Sequence, residues 1–397
     1  MFGELCVKCK GRLWCGLPKC PILEAAKDYI PRIKVSGDSI FGLSPPSIFV
    51  GRYGYPHVYA GPLISENDEG TVFSQTSALY GKDLEYIMGI ASTLLRTSKR
   101  VNVKKVGGRL VEKTQEIAMS LKPLDTEIKV EKTIGIPEVD EYFHPTGPRI
   151  IPRRIDVVDN PDIPRKVDSL VEDRVKANIA IEELYKYGLS VDYIQRLLSS
   201  GTLGYDKKLV PTRWSITAVD DAISKRLIKD IKHMESVDKV EYYRNSFMGN
   251  DFHIFLIPGS WEYEMIETWM RGSIYATQTY IGEDYEPYEG RKTYASNITG
   301  AYYAARLAVA EHLSRRKRQA KVIVYREITP EYRLPLGVWV IRESVRHAFK
   351  NRAEIYEDIE AALRTSERLT KNPTWIKRSR ILYNLKHQKT IDDFLKS

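Results

Sequence analysis

All four cysteines of the chain fall within its first twenty residues, at Cys6, Cys9, Cys15 and Cys20. A chain-wide disulfide framework is thereby excluded, because no thiol lies beyond Cys20. A C-x-x-C pair can reach one metal ion from a tight turn, and two further thiols close by complete a tetrahedral sulfur shell. Zinc is the expected occupant, since thiolates are soft ligands and structural zinc sites are closed and four-coordinate. Four sulfurs leave no open position for water, so the expected role is to build shape and not to hydrolyse. Two disulfides, an iron–sulfur cluster or uncommitted thiols are the alternatives. No basic stretch followed by an apolar run marks a secretory leader at Met1-Phe-Gly-Glu-Leu5. Lys8, Lys10, Arg12 and Lys19, interleaved with the thiols, would offset the double negative charge of a zinc tetrathiolate.

Apolar residues make up 43% of the 397, and no apolar run approaches the ~18 residues that span a bilayer. The expectation is a soluble, cytoplasmic, nucleoid-associated protein of mixed α+β class with a large core and no membrane partner. Lys and Arg number 61 against 52 Asp and Glu, a net charge of +9. That excess is concentrated: between residues 364 and 389 many cations face one acid, Glu367, and Arg315, Arg316, Lys317 and Arg318 form a second run. With Lys377, Arg378 and Arg380, and rings such as Trp375 and Tyr383, these residues are candidates for phosphate contact and stacking. A solvated helix end, where cations favour the dipole, explains the 315–318 run equally well.

Along the chain, Pro21–Ile30 reads as a short helix, and Ser47–Val50 with His57–Ala60 as strands about a turn. Strands are expected at Val101–Val106 and Ile128–Val130 around a helix at Gln115–Leu121. A Pro-dense connection is expected from Pro145 to Pro164. One long helix is expected after Pro164, from the recurrence of Val167, Leu170, Val171, Val175, Ile179, Ile181 and Leu184, with Gly188 as its C-terminal cap. Ser190 caps a second helix ending near Gly201, and Thr217 with Asp220 starts a third towards Met234. Phe252–Pro258 is a buried strand, and the acidic, tyrosine-rich Gly282–Gly290 a boundary or surface loop. Ala301–Leu313 and Asn351–Leu369 are helical, Val322–Arg326 a strand, and Val338–Phe349 amphipathic.

The last ten residues carry a second pattern. Gln388, Ile391, Phe394 and Leu395 match the Gln-x-x-aliphatic-x-x-aromatic-aromatic/Leu form of peptides that dock on DNA sliding clamps. One helical turn places Ile391, Phe394 and Leu395 on one face as a plug, with Gln388 free to bond main-chain groups at the entry. A terminal helix docked on its own domain is the alternative.

Taken with the stretches Cys15-Gly-Leu-Pro-Lys-Cys-Pro21 and Leu209-Val-Pro-Thr-Arg-Trp-Ser-Ile-Thr-Ala-Val-Asp-Asp221, the two chain ends resemble those of the archaeal Nre family of DNA repair proteins. The resemblance implies an N-terminal family domain with the zinc module and a C-terminal family domain with the clamp peptide. The expected boundaries are 1–22 for the zinc module, 23–280 and 285–385 for the two domains, and 386–397 for the peptide. It also implies a metal role for Cys6, Cys9, Cys15 and Cys20, contact of Gln388, Ile391, Phe394 and Leu395 with the clamp (PCNA), and a part in DNA damage repair.

Catalytic templates are sparse. No Walker A or HExxH sequence occurs, and Gly51-Arg-Tyr-Gly54 is too short for a phosphate cradle. Asp125 with Glu127-Ile-Lys129 is a fragment of a metal-dependent nuclease pattern. Arg244, Asn250, Asp251 and His253 at the mouth of a buried strand, with Arg213 ahead of a helix, outline a candidate pocket between residues 210 and 260. A hairpin turn bonding its own backbone is the plainer reading of Arg244–His253. The expected function is a clamp-bound repair factor that contacts DNA. A DNA- or nucleotide-processing enzyme recruited by the same tail is the alternative, and an RNA-binding protein with a zinc knuckle a third.

Overall fold

The computed structural model describes residues 3–31, 37–45, 47–65, 67–135 and 137–387, so the clamp-type peptide with Gln388, Ile391, Phe394 and Leu395 lies outside the described residues. The chain divides into two compact units that do not follow chain order. One gathers residues 16–226 and 334–340, the other residues 1–15, 227–333 and 341–397. Each combines helices with a sheet, in keeping with the expected α+β class.

The unit centred on residues 16–226 contains strands β1 (Ser39–Ser44), β2 (Ile48–Val50), β3 (His57–Ser65), β4 (Leu94–Thr97), β5 (Lys99–Asn102), β6 (Leu124–Ile134) and β7 (Arg149–Val157). Pairing runs β1–β6–β7–β4–β3 and returns from β3 to β1, closing a ring in which only β4 and β7 run parallel. Side chains alternate across each strand, and every ring strand sends an aliphatic side chain inward: Ile40, Ile64, Leu95, Ile128, Ile150 and Ile155 form one buried cluster. Burial of each contributes about 1.5–3 kcal/mol. Strands β2 and β5 flank β3, and Val50, Val58, Val103, Val111 and Leu209 fill a second cluster beside the helix Arg109–Met119. Backbones approach closely at Gly147, where a Cβ would stand 2.2 Å from the Ser92 carbonyl oxygen.

Several local expectations hold here and others are corrected. The Ile48–Val50 and His57 strands form, and Ser190 caps the helix Val191–Ser199 by accepting from the Tyr193 N–H at 3.2 Å. The Pro-dense connection, however, contains β7. Pro152 is accommodated because the β6–β7 register shifts beside it, and a bulge is where a strand tolerates a residue without an N–H. The long helix is two, Arg165–Glu172 and Ala177–Lys186, broken where Arg174 adopts φ +49°. Ile179 is 46% exposed, so the periodic apolar ladder was not one buried stripe. The following helix starts at Thr212, not Thr217, directly after Pro211. Thr212 Oγ1 accepts the Val50 N–H at 2.9 Å, while Thr217 lies inside the helix and bonds back to the Arg213 carbonyl at 3.4 Å.

The other unit is built on β8 (Val240–Phe247), β9 (Asn250–Ile257), β10 (Glu262–Trp269), β11 (Tyr280–Glu286), β12 (Lys321–Ile328) and β13 (Glu354–Tyr356), in the order β11-β10-β12-β9-β8-β13. Only β10 and β12 pair in parallel. Helix Gly300–Arg316 lies in the connection between them and packs on β10. Tyr242, Phe255, Ile323, Tyr325, Trp375 and Ile381 belong to a buried cluster that joins the sheet to the helices Ile359–Leu369 and Arg380–His387.

Of the acidic stretch expected as a loop, residues 282–286 belong to strand β11 and residues 287–290 form a turn. Two of the strand's carboxylates are buried because they are paired: Asp284 with Arg291 at 3.1 Å, and Glu286 with Arg306, with Tyr302 Oη also donating to Glu286. Residues 351–369 are helical only from Ile359, where Asp358 caps by accepting the Ala361 N–H at 2.7 Å. The uncertain segment before it resolves as helix Trp339–Ala348. Among the described residues no helix is long and apolar enough to cross a membrane.

Candidate functional site

Cys6 and Cys9 lie on the helix Gly3–Cys9, Cys15 in the turn that follows, and Cys20 immediately before the helix Pro21–Ala26. None is in a disulfide. The Trp14 backbone N–H donates to the Cys9 sulfur at 3.3 Å. Among the described residues no group of three or more His, Cys, Asp or Glu side chains stands close enough to hold a metal ion. Cys6, Cys9 and Cys15 belong to one unit and Cys20 to the other.

The interleaved cations do not share one task. Arg12 stacks on Trp14 at 3.9 Å. Lys10 is 2% exposed and its Nζ donates to Glu267 Oε2 at 3.1 Å over the Trp269 ring. Arg326 donates to Glu267 Oε1 at 2.6 Å and, through Nε, to Asn250 Oδ1 at 2.9 Å, and Trp269 Nε1 donates to Glu267 at 3.1 Å. Burial alone would raise the Glu267 pKa, but Lys10 and Arg326 outweigh it and hold the carboxyl below its ordinary range.

Asn250, in this network, is one of the residues of the pocket expected between residues 210 and 260. Asn250 is buried and bound on both ends, its Nδ2 donating to the Phe247 and Met248 carbonyls. The hairpin between β8 and β9 turns at Met248 and Gly249, both with positive φ, as a two-residue loop requires. His253 shares a 2.6 Å hydrogen bond with Tyr242 Oη and packs against Tyr325, and burial lowers its pKa to about 4. Arg244 pairs across the ladder with His253, and Asp251 with Ser246. The Asn250 and His253 side chains are thus committed within the fold, Arg244 and Asp251 lie on the hairpin's ladder, and Arg213 belongs to the other unit. The nuclease fragment Asp125, Glu127 and Lys129 alternates along one face of β6, where Glu127 accepts from Ser39 Oγ at 3.0 Å.

Of the basic candidates, Arg316 is taken by Glu241, Arg318 pairs with Glu235 at 2.7 Å and Arg378 with Glu283 at 3.0 Å. Arg315 donates to the Glu311 carbonyl within its own helix, and Lys317 ends that helix at φ +54°. Arg380 lies over the Tyr285 ring. Arg315, Lys317, Lys377 and Arg380 are exposed and form no ion pair among the described residues.

Arg213 instead reaches a cavity of about 140 Å³ within the unit of residues 16–226. Arg52, Arg96, Arg149 and Arg213 line it with the rings of Phe49, Tyr53, Tyr59 and Phe143, and with Glu138 and Asp140. Arg96 donates to Glu138 at 3.0 Å and lies over Phe49, and Arg213 is 3.9 Å from Asp140 and over Tyr142. Burial lowers the Arg96 pKa, against the pull of Glu138, and neighbouring Arg149 adds to the effect. For Arg213 burial acts the same way but Asp140 prevails, so its pKa is raised. Sequence reasoning missed Arg52, Arg96 and Arg149. Arg96 carried a signal, a charge inside the buried run Leu94-Leu95-Arg96-Thr97.

Residues 14–276 match the archaeal Nre N-terminal family and residues 286–394 the archaeal Nre C-terminal family. A DNA repair protein NreA of Archaeoglobus fulgidus is 40% identical over 94% of this chain and 96% of its own length. The NreA of Haloferax volcanii is 40% identical over 80% of this chain and 79% of its own. A DNA repair protein NreB of Archaeoglobus fulgidus is 34% identical over 98% of this chain and all of its own. No solved structure matches. The two family matches together span nearly the whole sequence, and the chain belongs to the archaeal Nre family.

Proposed function

We propose that this protein is a DNA damage repair factor that docks on the sliding clamp through its C-terminal peptide and contacts DNA. The observation that carries the reading is its similarity, over nearly its whole length, to relatives named DNA repair proteins. Clamp docking is supported by the spacing of Gln388, Ile391, Phe394 and Leu395, directly after the helix Arg380–His387. Exposed Arg315, Lys317, Lys377 and Arg380, free of carboxylate partners among the described residues, support contact with phosphates. Tethering supplies an effective concentration on the order of mM, so weak DNA affinity suffices.

The test is titration calorimetry of the full chain against purified clamp. Phe394→Ala is expected to weaken binding about 100-fold, as loss of a central aromatic anchor does. Undiminished affinity in that variant would sink the reading.

Cys6, Cys9, Cys15 and Cys20 are proposed to hold one structural zinc, supported by the all-thiol donor set, its lack of disulfides and the Trp14 N–H aimed at Cys9. Elemental analysis of the purified chain is expected to find about one zinc per chain, lost in Cys9→Ser. A metal-free protein with a native circular dichroism spectrum would refute the assignment.

A further inference from the structure

From the cavity ringed by Arg52, Arg96, Arg149 and Arg213 we infer a second binding site, for a nucleoside monophosphate, either free or as the 5′-phosphorylated end of a DNA strand. Three observations lead there, and none involves the cysteines or the C-terminal peptide.

The first is unspent hydrogen-bonding capacity. Arg96 Nε, Arg213 Nη2 and Ser98 Oγ are buried without a partner, and all three residues line this one cavity. Arg96 and Ser98 are 6% and 1% exposed. Buried polar groups are normally bonded, so three orphans around one space mark where a ligand's acceptors belong. Two of them are guanidinium nitrogens, whose planar fork suits phosphate oxygens.

The second is the charge. Glu138 faces Arg96 and Asp140 faces Arg213, whereas Arg52 and Arg149 form no ion pair among the described residues. Two cations stay uncompensated, and a phosphate monoester carries nearly two negative charges at neutral pH. The same balance disfavours polyanions packed wholly inside, because Glu138 and Asp140 would repel them.

The third is shape. A space of about 140 Å³ exceeds a bare anion and approaches that of cavities known to take a six-membered ring. Its walls are aromatic: Phe49 and Phe143 meet at 5.6 Å, and Tyr59 lies under Arg149 at 4.7 Å. Rings backed by cations are the surfaces on which bases stack. The lining carboxylates Glu138 and Asp140 can accept from the ring or amino N–H groups that a base presents. A phosphate at the arginines and a base against the rings uses every feature of the site.

The test is calorimetry of the full chain with the four deoxynucleoside 5′-monophosphates, and with a single-stranded decathymidylate bearing either a 5′-phosphate or a 5′-hydroxyl. Saturable binding of the monophosphates, of the phosphorylated oligonucleotide, or of both is expected, and which of them binds identifies the source of the ligand. Arg149→Ala is chosen because Arg149 is partly exposed and leaves no carboxylate orphaned. It is expected to weaken binding at least about tenfold with thermal unfolding unchanged. Phe394→Ala, which addresses the clamp reading, is expected to leave this binding untouched. No saturable binding of the phosphate-bearing probes up to millimolar concentration, or equal affinity of wild type and Arg149→Ala, would overturn the assignment.

Discussion

Glu267→Ala is expected to lower stability by about 3–5 kcal/mol, the range for removing one partner from a buried ion pair. Glu267 is 1% exposed, and its loss strands two cations, Lys10 and Arg326, that are 2% and 0% exposed. Neither reaches water in the folded state, and the Trp269 indole N–H loses its acceptor as well. Glu267→Gln keeps an acceptor of the same shape and is expected to fall between wild type and alanine. Lys10→Met leaves the Arg326 pair intact and is expected to cost less than Glu267→Ala. Urea titrations of the three variants rank them, and a different order would show that the network is not the support described.

Acid is expected to destabilise the protein well before ordinary carboxylates titrate. Burial lowers His144, His253 and His312 from the ordinary 6.5 to about 4 each. Their neighbours do not restore them. Asp251 and Arg244 act on His253 in opposite directions, Arg316 and Arg315 oppose Glu241 at His312, and His144 has the Pro145 carbonyl and distant Asp192. The sign follows from linkage: between pH 6.5 and about 4 the unfolded chain binds protons that the folded chain refuses. The stabilisation is therefore complete above pH 6.5 and drains away as pH falls to about 4, by about 3 kcal/mol per histidine. His312→Phe keeps the ring stacked on Phe349, at 3.9 Å in the native pair, but removes the titration. Comparing urea midpoints at pH 7 and pH 4, the variant is expected to lose about 3 kcal/mol less than wild type. An identical loss in both would remove His312 from the account.

How much of this was legible in the sequence depended on how local each cause is. Ser190 capping, the Gly188 stop and the buried Phe252–Ile257 run are decided within a few residues, and they formed where expected. Strand β7 was hidden because Pro152 reads as a breaker, and only its partner's register shift makes room for it. Strand β11 was hidden because its acids read as solvent-facing, whereas Arg291 and Arg306, supplied from further along, allow them inside. The Thr212 helix start was missed because Thr217 and Asp220 imitate a capping box, while Asp220 instead accepts from Gln195 at 3.0 Å. The arginine-lined cavity was the least visible feature. It draws on Arg52, Arg96, Glu138, Arg149 and Arg213, and no spacing rule links residues that only the closure of a ring of strands brings together. Gly51-Arg52-Tyr53-Gly54 was dismissed as a phosphate loop on length alone, yet Arg52 and Tyr53 line that cavity.

The bond from Lys10 to Glu267 joins residues 257 positions apart. During synthesis at about 5–20 residues per second, Lys10 leaves the ribosome many seconds before its acceptor exists. The ring of β1, β3, β4, β6 and β7 has all its strands by residue 157 and can close in that interval. Lys10, just past the helix Gly3–Cys9, stays hydrated until β10, which carries Glu267, has emerged. Order of synthesis and final neighbourhood are thus opposed at Lys10, an early-made residue that must find its place late.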